Sequence, residues 1–159
     1  MKGRAMPARL SPIRNTAVEQ VASADLVIET SGVGLFEFTA DAARFIAACG
    51  ADDGVLLAYL RHTSASLTIQ ENADPDVQTD LIAALNRLAP ENAGWVHTVE
   101  GPDDMPAHVK AMLTGISLHV PVQGGKLALG TWQGLYLIEH RTRPHGRTLI
   151  LQFVGSRKA

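Results

Sequence analysis

A single cysteine, Cys49, stands in the 159 residues, so no disulfide can form within one chain. It precedes Gly50 at the end of an alanine-rich stretch, where a thiol reads as a small packing group and not as a nucleophile. Aromatic residues make up only 5% of the sequence, which leaves aliphatic side chains to build the core. No apolar run approaches the length of a membrane span. The segment from Met1 to Thr16 is basic but lacks the apolar stretch of a secretory signal. A cytoplasmic protein is expected, with a flexible N-terminal segment 1–16 ahead of one domain, 17–159, large enough to stand on a hydrophobic core. An excess of one charge sign is also missing. The net charge is -2 and the arginines are scattered, which gives no basic stripe for nucleic acid. Neither a glycine-rich phosphate loop of a familiar type nor a Gly-x-Ser-x-Gly elbow occurs, and the second absence removes a serine hydrolase.

What is present alternates between strand and helix patterns. Val18 to Gly32 and Gly34 to Thr39 read as an opening hairpin, followed by a helix from a capping Thr39 to Gly50. Val55 to Leu60 is apolar on both faces, as in a central strand, and Ser66 to Gln70 alternates. Asp74-Pro75 starts a helix with Val77, Leu81, Ile82, Leu85 and Leu88 in one stripe. A shorter helix fits Pro106 to Thr114, and strands fit Ile116 to Val122, Gly134 to Arg141 and Thr148 to Gly155. The sum is an α+β fold: a single compact domain with a mixed, mainly antiparallel sheet and two to three helices.

Chemistry concentrates in a few segments. Gly130-Thr131-Trp132-Gln133 lies between two strand-like pieces, and an indole beside a carboxamide offers a flat wall with a donor and an acceptor for a small polar ligand. The competing reading is a tight hairpin with Trp132 plugging the core. Six histidines are present. His62 follows a buried strand directly and would emerge at its end. Asp104 and His108 are four residues apart, which gives one helix face either a metal-binding pair or a cap with a hydrogen-bonded ring. His97 alternates with Trp95 and Val99, while His119 and His145 carry no functional argument, and His140 falls on the strand face opposite Glu139. Among the carboxylates, Asp74 and Asp76 are explained by helix capping, whereas Glu71-Asn72 at a strand end suits a substrate amine or an imidazole. Glu139, inside an apolar strand, needs a partner, and Arg141 is the expected one unless that arginine faces phosphate.

The segments His62 to Leu81, Trp95 to Gly115, Ser117 to Leu135 and Glu139 to Arg141 together resemble the YjbQ-like family, also described as secondary thiamine-phosphate synthases. The resemblance covers the C-terminal two thirds of the chain. It implies a trimer with a histidine-rich, acidic pocket that joins hydroxymethylpyrimidine diphosphate to thiazole phosphate and releases pyrophosphate. In that reading His62, His97 and His108 hold a divalent ion (zinc, manganese or magnesium). His62, Glu71, Asn72, Asp104, Gln133 and Glu139 serve the chemistry, and Thr131, Trp132, Gln133, Arg141 and Lys110 hold the phosphorylated small-molecule substrate. Three imidazoles suit zinc, manganese, nickel or iron better than magnesium, which prefers oxygen ligands. Two rivals stand beside it: a metal-dependent hydrolase or lyase with Glu71 or Asp104 as base, and a trimer that binds a small ligand without turnover.

Overall fold

The computed structural model describes residues 8–159. Of the segment expected to be flexible, residues 1–7 lie outside the described residues, and residues 8–19 form an exposed stretch without helix or strand. Eight strands and three helices follow: β1 (Gln20–Thr30), β2 (Gly34–Glu37), α1 (Thr39–Ala48), β3 (Ala51–Leu60), β4 (Ala65–Glu71), α2 (Pro75–Leu88), α3 (Asp104–Thr114), β5 (Ser117–Gln123), β6 (Lys126–Leu127), β7 (Gln133–Glu139) and β8 (His145–Arg157). Every strand pairing is antiparallel. The strands divide into a five-stranded sheet, β1-β8-β3-β5-β6, and a three-stranded sheet, β2-β7-β4.

β1 and β2 do not form the expected hairpin, since β1 pairs with β8 and β2 with β7 in the other sheet. Gly32, at φ 130°, turns the chain between sheets. A Cβ there would lie 2.9 Å from the Thr142 carbonyl oxygen, so only glycine fits the crossing. Thr39 is not the cap of α1 but its first residue. Its hydroxyl donates to Glu37 Oε1 at 2.8 Å and accepts the Leu135 N–H at 2.8 Å, tying the helix to β7. Asp74 does cap α2, accepting the Asp76 N–H at 2.9 Å with Pro75 in the first turn.

The two sheets pack face to face. Leu56, Ala58 and Leu60 of β3, Val120 and Val122 of β5, and Leu149, Leu151 and Phe153 of β8 meet Leu67 of β4, Leu135 and Leu137 of β7, and Ala42 and Ile46 of α1. From Gly134 to Glu139 every residue of β7 is buried, because odd positions face this core while Tyr136 and Ile138 face the helix side. That double burial is why β7 reads as a nearly continuous apolar run. Among the described residues no helix or strand covers the outer face of the five-stranded sheet, and only the stretch around Leu10 to Val18 borders it, near Val55, Pro121 and Val154. Val21 and Val27 of β1 and Tyr59 of β3 are exposed there, beside half-buried Val55, Leu57, Ile150 and Val154.

Candidate functional site

α3 starts at Asp104, so Asp104 and His108 stand one turn apart on one face. The α2–α3 connection returns His97 to the same place. His97 Nε2 lies 2.8 Å and His108 Nε2 3.2 Å from Asp104 Oδ2. One ligand atom from each of His97, Asp104 and His108 falls within 4.8 Å of the others, a grouping able to hold a metal ion. Asp104 is 1% exposed, whereas His97 and His108 are 44% and 33% exposed, so the group has a buried anchor and an open side. Burial alone would raise the Asp104 pKa. The His97 hydrogen bond and the Arg141 and His108 charges outweigh it and keep the carboxyl below its ordinary value. Arg141 Nη1 holds the other oxygen, Oδ1, while its Nε donates to Asp103 Oδ2 at 3.2 Å and its Nη2 to the Glu100 carbonyl at 2.8 Å.

The hydrogen bond of His108 to the protein decides its tautomer. Nδ1 lies 3.0 Å from the Thr63 carbonyl oxygen, which can only accept, so Nδ1 carries the proton. In the neutral ring a bare Nε2 lone pair faces an ionised carboxylate oxygen, whereas the imidazolium donates Nε2–H to it. Two acceptors at that distance repel unless a cation or a proton lies between them. An imidazole that donates one N–H to a backbone carbonyl and aims its other nitrogen at the ion is the usual arrangement of a metal-ligating histidine.

His62 is not in this group. Its Nε2 accepts the Thr148 N–H at 2.9 Å, which occupies the lone pair a metal would need, and Nδ1 faces Arg147 Nη1 at 3.5 Å. Burial, then the Arg147 charge, holds its pKa below the ordinary value. The expected Glu139–Arg141 ion pair is also replaced. β7 ends at Glu139, so strand alternation does not carry on to Arg141, which swings to Asp103 and Asp104. Glu139 instead pairs with Arg147, at 2.6 Å from both Nε and Nη2, and accepts from Thr30 Oγ1 and the Arg141 N–H at 2.9 Å each.

Lys110 lies on another face of α3, beside His140, which follows β7. His140 Nε2 lies 2.8 Å from Ser66 Oγ, and Lys110 Nζ donates to Asn86 Oδ1 at 2.7 Å. Burial foremost, with the Lys110 charge, pushes the His140 pKa from 6.5 down to about 4. The fold therefore holds this ring neutral while the unfolded chain protonates it near 6.5, so its contribution is full above that pH and is lost as pH falls toward 4. His62 acts in the same direction. Urea unfolding from neutral pH downward is expected to lose about 3 kcal/mol across this window from His140 alone, and His140→Asn is expected to flatten the curve.

The remaining candidates gather at the far end of the β4–β7 pair. Glu71 is in register with Gln133, and the Asn72 N–H donates to the Trp132 carbonyl at 3.0 Å. Gln133 Oε1 accepts the Gly130 N–H at 2.8 Å, closing a turn that carries Thr131 and Trp132. Trp132 is 63% exposed, so it does not plug the core. Gln133 and Glu139 are six residue steps apart along β7, about 20 Å of strand. Within one chain the indole, the carboxamides and Glu71 are thus remote from His97, Asp104 and His108.

Sequence comparison places this arrangement among relatives. The profile of the UPF0047 protein YjbQ-like family matches residues 24–156. The chain belongs to the UPF0047 YjbQ-like family. The UPF0047 protein sll1880 of Synechocystis is 48% identical over 131 residues, covering 82% of this chain and 89% of that protein. YugU of Bacillus subtilis is 36% identical over 123 residues, covering 76% and 89%. Among solved structures, an uncharacterized yjbq/upf0047 protein of Clostridium acetobutylicum superposes with a TM-score of 0.76 at 34% identity, covering 82% of this chain and 98% of the other. A hypothetical protein of Aeropyrum pernix gives 0.79 at 26%, covering 85% and 99%.

For this UPF0047 chain, sequence reasoning named the Asp104–His108 pair from its spacing but missed Arg147. A signal was there. Arg147 shares the strand phase of Leu149, Leu151 and Phe153, all buried, which marks it as an inward-facing charge that needs a partner. The Thr63 carbonyl has no counterpart in residue type and no sequence signal.

Proposed function

We propose that this chain is a small-molecule enzyme whose pocket is assisted by a divalent metal ion held by His97, Asp104 and His108. The observation that carries the reading is the approach of His97 Nε2 and His108 Nε2 to one Asp104 oxygen, at 2.8 and 3.2 Å, with the His108 ring held at Nδ1 by the Thr63 carbonyl. Two imidazoles and one carboxylate suit zinc, manganese or iron better than magnesium, and three protein ligands leave coordination positions for substrate. Bound there, a divalent ion supplies Lewis acidity to a substrate oxygen. The protein's own part is positional: Arg141 fixes Asp104, the Thr63 carbonyl fixes the His108 ring, and the exposed edges of both histidines face solvent.

The resemblance to secondary thiamine-phosphate synthases points to a transferase that joins the pyrimidine diphosphate to thiazole phosphate with loss of pyrophosphate. That reaction asks for a flat wall beside the ion, and Thr131, Trp132 and Gln133 are remote from it within one chain. The reading therefore includes a homotrimer in which the Trp132 end of one subunit meets the histidine group of another. The uncovered apolar face of the five-stranded sheet supports association. The reading is completed by a cytoplasmic setting, with no nucleic-acid or membrane partner. Among the described residues no helix is long and apolar enough to cross a membrane.

Elemental analysis of the purified protein, together with an assay for thiamine phosphate from the two half-molecules in the presence of the metal found, tests the proposal. One ion per chain with turnover is expected. One ion without turnover would leave a metal-dependent hydrolase or lyase of another substrate, and no ion with no turnover would leave a ligand-binding trimer.

A further inference from the structure

α3 has a second functional face. Turned away from Asp104 and His108, residues Asp103, Pro106 and Lys110 border a cavity of about 340 Å³ whose polar lining also includes Asn86, His140 and Thr142. Val33, Pro90 and Pro106 give it apolar walls, and Glu91 lies on its border. Lys110 is 6% exposed, a degree of burial that lysine rarely reaches without an ion pair. Its ammonium has three N–H donors, and the neutral Asn86 Oδ1 takes one of them at 2.7 Å. Among the described residues no carboxylate lies within ion-pair distance of it. Asp103 is committed elsewhere, with Oδ2 accepting from Arg141 Nε at 3.2 Å, the Thr142 N–H at 2.9 Å and Thr142 Oγ1 at 3.0 Å.

His140 completes the lining. Its Nε2 is taken by Ser66 Oγ, and Ser66 Oγ lies 2.6 Å from Thr114 Oγ1, which is 2.7 Å from the Lys110 carbonyl. The Lys110 carbonyl can only accept, so the single Thr114 hydroxyl proton goes to it and the chain has one direction. Ser66 then donates to Thr114 and accepts from His140 Nε2–H, so the ring proton sits on Nε2 and Nδ1 is left as an acceptor.

We infer that this cavity is a binding site for a small oxyanion, a carboxylate or phosphate group, held by Lys110 Nζ. A buried cation with two unfilled N–H groups is complementary to two oxygens carrying one negative charge. The volume admits inorganic phosphate or a short carboxylic acid, or the anionic end of a longer molecule entering past Glu91. The site lies across α3 from the histidine group and does not depend on the metal reading.

The test is titration of the full, chelator-treated chain with inorganic phosphate and separately with acetate, followed by calorimetry. Chelation prevents a metal-bound phosphate from mimicking the site. Saturable binding of one anion per chain is expected, weakened at least about tenfold in Lys110→Met, equivalent to about 1.4 kcal/mol. A second readout needs no variant. The sequence has four lysines, Lys2, Lys110, Lys126 and Lys158, so acylation of each amine is resolved by peptide mass analysis. Phosphate is expected to slow acylation of Lys110 and not of the other three. Absence of saturable binding, equal binding by Lys110→Met, or acylation of Lys110 indifferent to both anions would each overturn the inference. Saturation by only one of the anions would identify the group the cavity takes.

Discussion

Asp104→Asn is expected to lower metal content by more than the roughly 10–100-fold that loss of an outer-sphere partner of a metal ligand costs. The change is nearly isosteric and keeps an acceptor oxygen for Arg141, which retains Asp103 as a second partner. The fold is therefore expected to persist, and far-ultraviolet circular dichroism checks this. What disappears is the negative charge shared by both histidine Nε2 atoms. His108→Ala is expected to act similarly, because it removes the one ring whose bare nitrogen is fixed by the Thr63 carbonyl. His62→Ala separates this set from the one that contains three histidines. With its Nε2 already accepting the Thr148 N–H, His62 has no lone pair to give, so its loss is expected to leave metal content unchanged. Elemental analysis of the three variants decides between the sets. Metal retained in Asp104→Asn and lost in His62→Ala would reverse the assignment.

The fold was more legible in the sequence than the site, for reasons specific to each. Hydrophobic period and end signals act within a few residues, so Pro75 after Asp74, the apolar run of β7 and the alternation of β4 all announced themselves. Partnership between sheets acts at long range. β1 looked like the first arm of a hairpin because β2 follows so closely, yet its eleven residues pair with β8 at the other end of the chain. The histidine group shows the same split. Asp104 and His108 belong to one helix, so their spacing carried the geometry, whereas His62 and His97 come from separate loops whose convergence no spacing encodes. The His62 Nε2 lone pair is taken by a backbone N–H, and backbone partners leave no trace in residue type. The family resemblance brought the right segments together without saying which of their atoms meet.

The separation of Trp132 from the histidine group follows from one strand. β7 runs through the middle of the three-stranded sheet, with Gln133 at one end and Glu139 at the other, so residues adjacent in the motif order are held apart by a rigid element. A single subunit cannot bend β7 to close that gap without breaking pairing on both sides. Under the proposed function a reaction that uses both groups recruits a second chain, so its turnover is expected to depend on assembly. Sedimentation measured alongside turnover over a dilution series is expected to show both falling together.

Arg147→Met is expected to produce the largest loss of stability of any substitution considered. Glu139 is fully buried and Arg147 nearly so, and their two 2.6 Å contacts neutralise the carboxylate between the sheets. Removing the arginine leaves the Thr30 hydroxyl and the Arg141 N–H as donors but no cation, a change that costs about 3–5 kcal/mol in buried pairs and is a large share of a typical domain's stability. The pH dependence gives the mechanism away. In the native chain burial raises the Glu139 pKa, but Arg147 and the hydrogen bonds outweigh it and hold it below 4.5. Its contribution is therefore present above 4.5 and lost as pH falls. Without Arg147 burial dominates and the folded pKa rises above the unfolded one, so the variant's deficit grows as pH climbs through the new value. Urea unfolding at about pH 5 and about pH 8 is expected to show the larger deficit at the higher pH. Adding Glu139→Gln to Arg147→Met removes the unpaired charge and is expected to restore part of the loss and abolish that trend. The consequence reaches the metal group as well. Arg147 Nη2 also donates to the Ser64 hydroxyl at 3.2 Å, and Ser64 adjoins Thr63, whose carbonyl fixes His108. Metal affinity of Arg147→Met is therefore expected to fall even under conditions where the chain is still folded, and an affinity equal to that of the native protein would show that the 62–64 loop is held by its own backbone contacts.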